Sequence, residues 1–228
     1  MHPYTVSPVA LARAQRQRGE TRSAASFVVA RTALVVVDMQ NYFVASGASG
    51  EVPAARGIVG SINRLASAMR AAAGQVVWLQ TTARGARELW TNLHTNILDP
   101  AQARKRLQAL DEASPEFALY PDLDVRHDDL RIRKIHYSAL VAGSSDLDAA
   151  LRERGIDTVL IAGTATNVCC ESTARDAMML NYRTVMVSDA NATWTDAEHA
   201  ATLDLFMAFF GDVMTVDQVI ACLETRSS

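Results

Sequence analysis

The chain has 228 residues, 49% apolar and 21% charged, with a net charge of −3, which fits one domain able to bury a sizeable core. The charge excludes a basic footprint for nucleic acid, and no apolar run approaches the ~18 residues of a membrane span. The three cysteines, an odd number, suggest free thiols in a reducing compartment rather than a disulfide framework, so the expected location is cytoplasmic.

Residues 1–30 read as an N-terminal arm. Arg13, Arg16, Arg18 and Arg22 lie in or beside it, but no apolar segment with a small-residue cleavage site follows, as a secretory leader requires. The arm is expected to pack on the domain or on a partner subunit. Residues 31–228 then read as one domain. Ala33–Asp38 (ALVVVD) is a β-branched apolar run, the pattern of a strand buried on both faces. Glu51 to Ala73 carries Ile58, Ile62, Leu65, Ala66 and Met69 at helical spacing, and Gly74 stops it. Gln75–Gln80 is a second strand and Leu130–Ile135 a shorter, more polar third.

Ser144–Arg154 is predicted helical, with Ser144 or Ser145 as N-cap. Thr158–Ala162 and Thr184–Val187 are the fourth and fifth strands, with a helix over Cys169–Asn181 between them. Thr195–Phe210 is another helix, with Thr195 as N-cap and Glu198 in the capping-box position. Val213–Thr215 is a last short strand and Val216–Thr225 a terminal helix. Strands alternating with helices predict parallel pairing and right-handed crossovers. The expected architecture is a three-layer α/β/α sandwich with a mostly parallel, doubly wound sheet of five to six strands. Residues 81–129 break this rhythm, and so long a connection is expected to form a lid or pocket wall.

In open α/β sheets, ligands bind beyond the carboxyl ends of the strands, and three reactive side chains fall there. Asp38 closes the first strand, Lys134 lies at the third, and Cys169 follows the fourth by a short loop. Gly163-Thr164-Ala165-Thr166-Asn167-Val168 places small, turn-prone residues ahead of Cys169. A thiol in the first helical turn meets unpaired N–H groups and the positive end of the helix dipole, and both favour thiolate. The same N–H groups suit an oxyanion, and a carboxylate supplies the proton carrier that thiol chemistry requires.

These residues resemble the isochorismatase-like cysteine hydrolases, which include nicotinamidases, N-carbamoylsarcosine amidohydrolase and ureidoacrylate hydrolases. The resemblance is carried by ALVVVDMQNYF (Ala33–Phe43), KIHYSAL (Lys134–Leu140) and AGTATNVCCESTARDAMMLNYRTVMVSDA (Ala162–Ala190). It implies that Asp38 is the general acid/base, Lys134 its electrostatic partner and Cys169 the nucleophile. It also implies a cis peptide at Thr164–Ala165 that turns the Ala165 N–H toward an oxyanion beside the Cys169 N–H. Cys170 points roughly 100° away around the helix and reads as packing, as does Cys222.

Two positions depart from the pattern. Nicotinamidases carry an Asp-x-His metal site after the second strand. Here that stretch reads Leu79-Gln80-Thr81-Thr82-Ala83-Arg84, so no metal and no cofactor is expected. Many members also have an Asp where Tyr42 stands, so the pocket mouth is less acidic. Tyr42, Phe43, Trp90 and Tyr137 are candidate substrate-binding residues that serve equally well as core. Asn167 and Thr166 are either helix caps or substrate contacts. Arg84 and Arg87 suit a carboxylate, although a solvated face is the more ordinary place for Arg.

The expected activity is hydrolysis of a C–N bond in a small amide, carbamoyl or ureido substrate through a thioester. An enol-ether hydrolase and a non-catalytic scaffold are the alternatives. The enol-ether branch lacks the cysteine, and a decayed site would tolerate loss of any of the three residues. The resemblance further implies a homodimer or homotetramer, with Phe206, Met207, Phe209 and Phe210 as apolar residues beyond one helical face.

Overall fold

A computed structural model describes residues 1–20 and 27–224 of the chain. Among them the strands are β1 (Thr32–Val37), β2 (Gln75–Thr81), β3 (Leu130–Lys134), β4 (Thr158–Thr164), β5 (Arg183–Ala192) and β6 (Asp212–Met214). They form one sheet in the order β3-β2-β1-β4-β5-β6, with every pairing parallel. The helices are α1 (Pro8–Arg18), α2 (Asn41–Val44), α3 (Val59–Ala71), α4 (Ala86–Leu89), α5 (Pro100–Ala109), α6 (Leu147–Glu153), α7 (Glu171–Met179), α8 (Asp196–Phe209) and α9 (Val216–Glu224).

The two layers follow from alternation along β1, all of whose residues are buried. Leu34 and Val36 face an apolar cluster with Ile62, Leu65 and Met69 of α3 and Val219 of α9. Ala33, Val35 and Val37 face a second cluster with Leu151 of α6, Ala174 of α7 and Leu203 and Phe206 of α8. A strand buried on both faces needs apolar residues at successive positions, which is why the run is continuous rather than alternating. The strand order reverses between β1 and β4, the switch point at whose carboxyl ends open α/β sheets bind ligands. Gly163 permits the close approach of these two strands: its φ is 115°, and a Cβ there would run into the Val37 carbonyl oxygen.

Several boundaries differ from those predicted. The stretch before α3 is a tight 3₁₀ turn, Pro53–Ile58, and the α-helix begins only at Val59. β5 runs on to Ala192, because Asn191 donates from its side chain to the carbonyls of Ile161 and Val187. At α6 it is Ser145 that accepts from the Leu147 N–H, while Ser144 accepts from the His136 N–H and donates to the Ser138 carbonyl. At α8, Thr195 accepts from the Glu198 N–H at 3.2 Å as a capping residue should.

Residues 81–129 are not irregular throughout: α4, a π-helical turn over Leu93–Ile97 and α5 lie within them. Their last part folds back along the segment after β1. Asn41 and Tyr42 donate to the carbonyls of Ala118 and Glu116, and Tyr120 donates to Met39. α1 packs on α8, where Tyr4 and Ser7 bond to Asp204, and Arg18 bonds to Asp212 and two backbone carbonyls. Phe206 and Met207 are buried and belong to the core, whereas Phe209 is exposed.

Candidate active site

Asp38 sits one residue beyond β1, fully buried, with φ of 51°. Aspartate tolerates this left-handed conformation better than most residues, and the bend turns its side chain out of the strand's alternation. Its Oδ1 accepts from the Thr81 N–H at 3.1 Å and the Thr81 hydroxyl at 2.9 Å. Its Oδ2 meets the Lys134 ammonium, 2.8 Å away. Gln40 braces this corner. Its amide oxygen accepts from Thr81 N–H, and its amide nitrogen donates to the carbonyls of Thr81 and Phe117.

Lys134 closes β3, which pairs with the end of β2 so that Thr81 lies beside it in register. Its side chain is fully buried. A buried ammonium must be compensated, and here it donates to the Thr81 hydroxyl at 2.8 Å and the His136 carbonyl at 3.1 Å in addition to the ion pair. Burial works against the charged form. The charge of Asp38, the neighbouring Cys169 sulfur and the Asp38 hydrogen bond outweigh it and hold the Lys134 pKa above its ordinary value.

Cys169 lies in a π-helical turn, Thr166–Cys170, that leads directly into α7. The helical segment thus begins three residues earlier than predicted, with Cys169 as its fourth residue. The Cys170 N–H reaches back to the Ala165 carbonyl at 3.2 Å, the wider spacing of a π-turn. The Thr164–Ala165 peptide is cis. Cys169 is only 4% exposed, and burial works against the thiolate that the helix start favours. Burial pushes its pKa up to about 12, against the pull of Lys134, with Asp38 raising it further. Cys170 is buried in the core, its pKa also raised well above the ordinary value by burial.

A small cavity beside Thr81 is lined from α4, α5 and the segment after β3, with Ala86, Trp90, Arg106 and Ile135 among its residues. Trp90 packs edge-on against Tyr137, with ring centroids 4.6 Å apart, and tilts over His136 at 5.2 Å. The Tyr137 pKa is raised, chiefly by burial, and it feels the charges of Arg106, Cys169 and Lys134. Tyr42 is buried beneath the Arg106 guanidinium, whose carbon lies 5.7 Å from the ring centroid.

This arrangement of sheet, strand-end residues and intervening spacing matches a known family. The profile of the isochorismatase domain covers residues 32–218. The chain belongs to the isochorismatase family. A ureidoacrylate amidohydrolase, RutB, from Rhizobium rhizogenes is 34% identical over 206 residues, covering 83% of this chain and 82% of its own. Among solved structures, a cysteine hydrolase from Pseudomonas syringae pv. phaseolicola superposes with a TM-score of 0.75 at 30% identity, covering 88% of this chain and 95% of that one. N-carbamoylsarcosine amidase from Thermoplasma acidophilum superposes with a TM-score of 0.64 at 26% identity, covering 82% and 97%.

Within this family fold, the structure brings Asp38, Lys134 and Cys169 together, and Tyr137 lies close enough to feel the charges of Cys169 and Lys134. Tyr42 and Phe43 are both buried and both belong to the apolar cluster with Leu34 and Val36. The Asn167 side-chain oxygen accepts from the Thr193 hydroxyl at 2.6 Å, tying the helix start to the end of β5. Ala165, just ahead of the π-turn, is buried. Arg84 and Arg87 are exposed. Among the described residues no three His, Cys, Asp or Glu side chains come together as a metal site would require.

Thr81, Gln40 and Arg106 were not picked out from the sequence. Thr81 had one available signal, its place at the end of a buried strand. Arg106 had none, since it lies on a helix of a segment whose path over the site is set by long-range contacts.

Proposed function

We propose that this isochorismatase-family hydrolase cleaves a C–N bond of a small amide, carbamoyl or ureido substrate, with Cys169 as nucleophile. The observation that carries the reading is a buried thiol set against a buried Asp38–Lys134 ion pair. Such a pair is costly to bury, and a structural core has no use for a third titratable group beside it. Strongly perturbed groups clustered at strand ends mark functional sites.

The chemistry follows from the charges. Burial disfavours the thiolate, so attack requires a base, and Asp38 takes the Sγ proton as sulfur bonds to the substrate carbonyl carbon. Negative charge moves to the carbonyl oxygen, which the backbone N–H groups of Ala165 and Cys169 hold. The C–N bond then breaks, and the leaving nitrogen takes the proton back from Asp38, leaving a thioester on Cys169. Water attacks the thioester, gives its proton to Asp38, and the acid leaves as the thiol re-forms. Lys134 keeps Asp38 oriented through both half-reactions and offsets negative charge in a site closed to solvent. Tyr42, Trp90 and Tyr137 hold the substrate.

The named relatives support the class of bond: one is an amidohydrolase acting on ureidoacrylate and another an amidase acting on N-carbamoylsarcosine. The test is a screen of primary amides, ureides and carbamoyl compounds for ammonia release. We expect release by the wild type, loss in Cys169→Ala and survival in Cys170→Ala. Ammonia release that persists in a folded Cys169→Ala protein contradicts the reading.

A further inference from the structure

The proposed reaction needs the Cys169 thiol and the N–H groups of Ala165 and Cys169 held in one place. Three polar side chains that take no part in it converge on the turn that carries them. His199 of α8 is fully buried, and its Nδ1 lies 2.9 Å from the Thr166 hydroxyl. Thr166 opens the π-turn, and its carbonyl accepts from the Glu171 N–H, a bond that spans Cys169. The next residue, Asn167, accepts from the Thr193 hydroxyl at 2.6 Å. The first two residues of the turn are thus both held from outside it.

The N-terminal arm closes this arrangement from behind. His2 is buried and stacks on His199 with ring centroids 4.7 Å apart, and Tyr4 meets the same ring edge-on at 5.9 Å. His2 Nδ1 lies 2.6 Å from Asp196 Oδ1, and its Nε2 accepts from the Thr193 N–H at 3.1 Å. One residue of the arm therefore touches both His199 and Thr193, the groups that hold Thr166 and Asn167. Packing alone would be served by apolar side chains at less desolvation cost, whereas a buried hydrogen-bonded network fixes one geometry. Burial pushes the His199 pKa down to about 4, which favours the uncharged ring. We infer that His199, seated by His2 of the N-terminal arm, is a positioning residue that fixes the turn of the nucleophile through Thr166. This rests on the reading of Cys169 as nucleophile.

The test measures kcat and KM for the compound of the ammonia-release screen that is cleaved fastest, well below the unfolding temperature of each variant, with folding checked by circular dichroism. His199→Phe keeps a stacked ring but loses Nδ1. It should lower kcat roughly 10–100-fold, the scale of an ångström-sized misplacement, with KM little changed, the split expected when alignment rather than binding is lost. His199→Asn, whose amide can stand where Nδ1 stood, should recover part of kcat. Adding Thr166→Val to His199→Phe should lower kcat little further, because both remove the same bond. His2→Phe, which keeps the stack but loses the contacts to Thr193 and Asp196, should show the same split at smaller size. His127→Gln, at a fully exposed histidine, should match wild type.

A wild-type kcat in folded His199→Phe, or losses that multiply in the double variant, overturns the inference and leaves the nucleophile standing. Wild-type kinetics in His2→Phe contradict the part given to the arm. If His199→Phe fails to fold, Thr166→Val decides: a folded Thr166→Val protein with wild-type kcat overturns the inference. Turnover that is absent from the wild type with every compound, or that persists in Cys169→Ala, sinks the reading beneath it, and the inference with it.

Discussion

Replacing Lys134 with methionine removes one charge from a site that has no solvent to compensate. The side chain is fully buried, 2.8 Å from Asp38 Oδ2, and donates to Thr81 and to the His136 carbonyl. Methionine fills similar volume, so the cavity cost is small, and the loss comes from the uncompensated carboxylate. Breaking a buried pair on one side costs about 3–5 kcal/mol. For a domain of this size each kcal/mol moves Tm by about 2–4 °C, so Lys134→Met should unfold roughly 6–20 °C below wild type. Adding Asp38→Asn should recover most of that loss, because the orphaned charge is gone, while activity stays absent.

The pH dependence has a definite sign. Lys134 is held above its ordinary pKa of 10.5, so its contribution is complete below that pH and fades as pH rises through the higher folded value. The stability gap between wild type and Lys134→Met should therefore be flat from pH 7 to 10 and shrink above it. Thermal unfolding followed by circular dichroism gives both results. A Lys134→Met protein as stable as wild type, or a double variant no more stable than the single, would refute the argument that the pair is coupled.

Asp38→Asn keeps size but carries no proton; kcat should fall at least about a hundredfold, and adding Cys169→Ala should lower it little further because the groups act as one unit. Additive losses in steady-state kinetics would contradict this. His199 is buried between His2 and the Thr166 hydroxyl, and burial pushes its pKa down to about 4. The unfolded chain therefore binds its proton first, and stability should fall as pH drops from about 6.5 toward 4, a slope that His199→Gln should flatten in urea titrations. The exposed Phe209 on α8 accords with self-association; light scattering at micromolar concentration should give a dimer or tetramer mass, and a monomer mass would end that idea.

The central strands were legible because burial on both faces demands unbroken apolar runs, and ALVVVD and TVLIA satisfy that locally. The strand-end placement of Asp38, Lys134 and Cys169 followed from the alternation of strands and helices. What stayed hidden depends on contacts between distant segments. The double role of the Thr81 hydroxyl needs β1, β2 and β3 in register, which no stretch of chain encodes alone. Arg106 of α5 meets Tyr42 of α2 across more than sixty residues of chain. The balance acting on the thiol was legible only in part. A helix start and a nearby ammonium favour thiolate, but complete burial opposes it more strongly, and the depth of the site could not be read from the sequence.

The most direct test of the account is to trap the acyl-enzyme. The amide that releases ammonia fastest in the screen is mixed with enzyme, quenched in acid within one turnover, and digested for peptide mass spectrometry. The account predicts the mass of the substrate's acyl group on Cys169 in wild type and in Cys170→Ala, and none in Cys169→Ala. An acyl adduct on Cys170, or full turnover by Cys169→Ala, would contradict it.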